Sequence, residues 1–304
     1  MVKERTPLLL VFGGHPGRCG HLVLQGDREF FRSNLAPFAE RWARAGRRAV
    51  MIHEYSVACE AGWSALTCHE SKSAREIQGE PLADAQRRLD ALRMSVNSAL
   101  ERTLGSGKGL TSGMEWFDWG CADDIIRINR ARPGSIINVI EPLVAQAAVL
   151  LNRPRTEGKD ALEAEKEDVE RAVRICRIRS ASLASYIKSL RESSPGMPIM
   201  VTRGFAHKGM EDFFDPGEFD ITSASRLLGA PWPSTEAVIM GMNGTISDED
   251  LTRFARLSMH FGEYYEDKML GHMLDCIEGG VFDEGKFALL SHRAREYALR
   301  MAGT

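Results

Sequence analysis

Three short apolar runs in this chain each end in side chains able to accept or pass on a proton. Leu8 to Phe12 runs into Gly13-Gly14-His15-Pro16-Gly17, Ala49 to Ile52 into His53-Glu54, and Ile199 to Val201 into Thr202-Arg203-Gly204 and then His207. Four to six apolar residues stopped in this way read as buried strands running into loops. In open α/β sheets ligands bind outside the carboxyl ends of the strands. His15, Glu54 and His207 are therefore candidates for one sheet edge, with His53 and Arg203 beside them. A histidine or glutamate there can act as a general base, and an arginine can hold a developing oxyanion. His15, Glu54 and His207 are also the candidate ligands for a divalent metal ion, the candidate cofactor, although no His-Glu-x-x-His signature is present.

Each residue has a blander reading. His15 also suits a tight turn. GGHPGRCG lacks the Lys-Ser/Thr of a P-loop and the spacing of a dinucleotide fingerprint, and Gly17-Arg18 stand where His-Pro-Asp-Asp deacetylases carry carboxylates. Glu54 alone would be a loop carboxylate or a cap. Arg179, in Arg-Ile-Arg-Ser-Ala-Ser from 177, would ordinarily be a surface arginine of a helix. One residue of slip turns it by roughly 100°, which makes Arg177 the fallback. If His207 serves the site, His207→Ala removes function and changes stability little; a structural core histidine would do the reverse.

The elements that must position these residues alternate between strand and helix. Strands are expected at 8–12, 48–52, 135–140 and 198–203, with a last one at 237–240. Helical spacing marks 27–45, 81–104, 159–190 and 284–301, and Ser247 with Asp248-Glu249-Asp250 opens a helix. The first two strands with their helix form a unit whose strands should pair in parallel. Residues 56–132 carry no strand signal and read as a helical insertion or lid, with Trp116 in a Trp-rich patch. The expected fold is α/β: a single domain over 1–304, with a central, mostly parallel sheet flanked by helices and the insertion after the second strand.

The whole composition narrows the partners. With 39 basic against 42 acidic residues the net charge is −3, so no overall field favours nucleic acid or an anionic membrane. No apolar run approaches a membrane span. Six cysteines without a CxxC pair point to a reducing compartment, and the expected location is the cytoplasm. The expected partner is a small-molecule or peptide substrate.

Arg179-x-x-x-Leu183-Ala184-x-x-Ile187, a short loop, a strand and then Gly204-x-x-His207 resemble the C-terminal half of the erythromycin esterase / ChaN / TraB–Tiki superfamily. Leu8 to His15 and Ala49 to Glu54 resemble its N-terminal strand–His and strand–Glu pieces. The resemblance covers roughly the first 55 residues and 170–215. It implies an α/β fold in which His15, Glu54, Arg179 and His207 converge on one pocket. It further implies an ester or amide hydrolase, with a haem or small-ligand binder of the ChaN-like type as the alternative and a transferase or cyclase open on the same scaffold. Phe12 stands where most members have Gly, and no Glu precedes His15. The carboxylate that esterases draw from that motif would then come from Glu141.

Overall fold

The computed structural model describes residues 5–13, 25–53, 131–132, 135–140, 160–227, 229–269, 272 and 283–303. The proposed insertion, 56–132, lies outside them apart from its last two residues. The protein is an α/β fold built on parallel strands flanked by helices, and the chain divides into two compact units, residues 1–14 with 141–304, and residues 15–140.

In the first unit, β1 (Thr6–Gly13) lies between β4 (Ile199–Gly204) and β5 (Phe219–Ser225), all parallel. Leu8 to Phe12 are at most 4% exposed and Ile199 to Val201 at most 1%. Strands buried on both faces read as unbroken apolar runs, which is why these two are plain in the sequence. The register sets Leu8 opposite Ile199 and Gly13 opposite Gly204, so the two strands end level. The long helix α2 (Ala161–Ser193) precedes β4 and turns Val169, Val173, Cys176, Ser180, Leu183 and Ile187 inward. It packs against α3 (Pro233–Met242) and α4 (Asp248–Tyr264), and α5 (Glu284–Ala302) packs on α4. The Ser247 cap forms as expected, its Oγ accepting from the Asp250 N–H at 3.0 Å.

Two expectations are corrected. Residues 237–240 are not a strand but the middle of α3, which has Pro233 in its first turn and buries Ala237, Val238, Gly241 and Met242. A four-residue apolar run carries no period of its own, and the packing partner decides. The strand overlooked is β5, FDITSAS, in which only Phe219 is buried; it pairs with β1 alone and shows no apolar run.

The second unit contains α1 (Gln25–Arg44), β2 (Ala49–His53) and β3 (Ile136–Ile140). Here β2 pairs in parallel with β3, Ala49 opposite Ile136 and His53 opposite Ile140. The expected pairing of β1 with β2 is not made, because β4 and β5 occupy both edges of β1. Gly46, at φ +70°, closes α1: the Arg47 N–H bonds the Trp42 carbonyl and the Gly46 N–H the Ala43 carbonyl, both at 3.1 Å. This is a Schellman ending, and glycine meets its left-handed position without a Cβ penalty.

Candidate functional site

The end of β4 carries the polar chemistry that the described residues show. Thr202 and Arg203 are wholly buried, and Arg203 is among the largest side chains shut off from solvent. Gly204 keeps the chain extended, and a single 3-10 turn, Phe205–His207, then brings it round. The turn returns His207 to Arg203 four residues on. Arg203 Nη2 lies 2.8 Å from His207 Nδ1 and 3.0 Å from Nε2. On the far side Arg203 Nη1 approaches Met210 Sδ at 4.0 Å. Ser180, from the middle of α2, places its Oγ 2.9 Å from His207 Nδ1.

This cluster is closed to water: Ser180 is 0%, Arg203 0% and His207 2% exposed. A guanidinium can only donate, and an imidazolium with a proton on each nitrogen has no acceptor to offer it. The arrangement therefore belongs to the neutral ring, which can exchange a proton with the serine hydroxyl. Burying the guanidinium costs several kcal/mol unless polar contacts compensate, so the cluster is a costly feature to keep.

Arg179 is 5% exposed, on the buried face of α2 beside Ser180, whereas Arg177 points outward and donates to the Gly244 carbonyl at 3.2 Å. The register thus buries Arg179 and leaves Arg177 exposed. His53 is the last residue of β2, in the second unit. His15, Glu54, Trp116 and Glu141 lie outside the described residues, and so does any convergence that involves them. Gly13, which leads into Gly14-His15, ends level with Gly204.

His207 is buried with two buried polar partners, so its removal should cost stability as well as any function. Ser180 was missed by sequence reading. Its one signal is a polar residue at a position where the spacing of Cys176, Leu183, Ala184 and Ile187 puts the helix's buried face. Among the described residues no group of three or more His, Cys, Asp or Glu is placed to hold a metal ion. No helix among them is long and apolar enough to cross a membrane. No protein-family model, no curated protein and no solved structure matches the chain.

Proposed function

We propose that the protein is a hydrolase of the ester or amide class, working at the carboxyl end of β4. The observation that carries this reading is the Ser180–His207–Arg203 cluster: a neutral imidazole in contact with a hydroxyl and with a fixed cation. Acyl transfer needs a group to take a proton, an oxygen to be activated or oriented, and positive charge for the oxyanion. In this scheme the proton acceptor is Glu54, proposed on the resemblance, and His207, held neutral by the guanidinium beside it, orients the reacting groups. Ser180 fixes the ring from α2, and Arg203, with Arg179, supplies the charge. His15 and Glu141 are the remaining residues proposed for the pocket, on the resemblance to the erythromycin esterase / ChaN / TraB–Tiki superfamily.

The haem-binding alternative is less well supported. Both ring nitrogens of His207 already lie against Arg203, and a metal ion bound there would meet a guanidinium charge at contact distance. The test is turnover of p-nitrophenyl acetate and of a peptide p-nitroanilide by the purified chain, its Ser180→Ala and Arg203→Lys variants, and His207→Gln. Loss of turnover in variants that stay folded supports the reading. Equal turnover in all four refutes it, and a Soret band on adding haem, abolished by His207→Gln, would favour the binder.

A further inference from the structure

Asn243 and Gly244 follow directly on the end of α3. Of the six asparagines in the sequence Asn243 alone precedes a glycine; the others precede Leu35, Ser98, Arg130, Val139 and Arg153. The amide carbon of an asparagine can be attacked by the backbone nitrogen of the next residue, which closes a succinimide ring. A side chain on that next residue shields the nitrogen, whereas glycine leaves it open and lets the backbone turn. Asn243 and Gly244 are both exposed, and a Cβ built on Gly244 would meet nothing nearer than the Met240 carbonyl oxygen at 3.9 Å. The Gly244 N–H makes no hydrogen bond among the described residues. Arg177 holds only the Gly244 carbonyl, on the far side of the residue, at 3.2 Å.

The same amide has a structural duty. Asn243 Nδ2 donates to Asp212 Oδ2, from the end of α3 to a second 3-10 turn, Met210–Phe213. It also lies over Gly209, where an added Cβ would be 3.0 Å from it, and Gly209 holds φ +98° between the two turns. His207 stands two residues before that glycine. Asn243 therefore ties α3 to the segment that brings His207 round. An ionised carboxylate only accepts hydrogen bonds, so an aspartate at 243 could not donate to Asp212 and would repel it instead.

We propose that Asn243 is a self-modification site, at which imide formation with Gly244 cuts the tie between α3 and the turns around His207. The Gly244 nitrogen bonds to Asn243 Cγ as the Cγ–Nδ2 bond breaks, and the proton given up by that nitrogen leaves with the amide as ammonia. Water, the one co-reactant, then opens the ring at either carbonyl. Opening at Cγ gives aspartate; opening at the backbone carbonyl gives isoaspartate, with the chain rerouted through the side chain. Asn243 sits at φ −111° and ψ 0°, so closure takes rotation about its Cα–C bond. That rotation breaks no bond of the Gly244 N–H, and only the contact to Asp212 has to give way. The proposal is independent of the hydrolase reading.

The full chain is aged in buffers of rising pH and mapped peptide by peptide by mass spectrometry, with electron-transfer fragmentation to separate aspartate from isoaspartate. The peptide holding Asn243 should gain the mass difference between an acid and an amide, at a rate that rises in proportion to hydroxide. The Asn138-Val139 peptide should stay unchanged. Gly244→Ala, for which the structure has room and no positive φ, should lose most of the conversion. Asn243→Gln, whose longer side chain does not close this ring, should lose it as well and guards against misfolding of the first variant. Hydrogen exchange over residues 205–213 reads the tie. Aged wild type and fresh Asn243→Asp should both exchange faster there than fresh wild type, and aged Gly244→Ala should not. An unconverted Asn243, equal conversion in Gly244→Ala, or exchange over 205–213 that conversion leaves unaltered would each overturn the proposal.

Discussion

Replacing His207 with Ala removes a ring that is 2% exposed and touches two wholly buried polar side chains. The Ser180 hydroxyl loses the ring as its partner in the interior, at about 1–3 kcal/mol. Arg203, the charged member of the pair, loses a hydrogen-bond partner, worth about 1.5–3 kcal/mol. Together the change should cost about 2.5–6 kcal/mol before any cavity is counted, a large part of the roughly 5–15 kcal/mol that holds a domain folded. Urea unfolding of the wild type and of His207→Ala measures the loss directly, and a parallel fall in midpoint with unchanged slope shows that the native state was destabilised. Ser180→Ala and the double variant complete a cycle. If the three residues form one network, the double variant should cost less than the two singles added, by about 0.5–3 kcal/mol. A loss below about 1 kcal/mol for His207→Ala, or strict additivity, would refute the network and with it the site built on it.

Four further outcomes test the fold around the site. Gly241→Ala should cost about 1–3 kcal/mol in thermal unfolding, because the new Cβ meets Val173 Cγ1 of α2, a stiff β-branched side chain in a packed face. Ser247→Ala should cost about 1 kcal/mol by removing the cap on the Asp250 N–H, and Ser247→Asp should restore most of it. Burial holds the Tyr186 hydroxyl above its ordinary pKa, so the folded state keeps that proton after the unfolded chain has lost it. This contribution to stability is intact below about pH 10 and is lost as pH rises beyond it; Tyr186→Phe should flatten the alkaline limb of a stability–pH curve. Arg177→Ala, by contrast, removes an exposed contact to Gly244 and should change stability by less than about 0.5 kcal/mol; a larger loss would show the α2 register to be wrong.

The sequence by itself determined the parts whose physics is local. Leu8–Phe12 and Ile199–Val201 are legible because strands buried on both faces must be apolar throughout, and glycine marks where they stop. The helix from Ala161, the Ser247 cap and the Gly46 ending are legible because capping and left-handed turns need particular residues at fixed offsets. The closeness of Arg203 to His207 is nearly local too, set by one turn after Gly204. Only the tertiary structure decided which strands are neighbours. That β1 takes β4 and β5 rather than β2 depends on edges chosen across nearly two hundred residues, and no period in the sequence encodes it. Burial likewise made 237–240 a helix, since that run fits either period until α2 is laid against it. Polar β5 became a strand only because β1 offered it an edge. Ser180 entered the site for the same reason: a serine in a helix has no signal of its own until packing turns it onto a histidine 27 residues away.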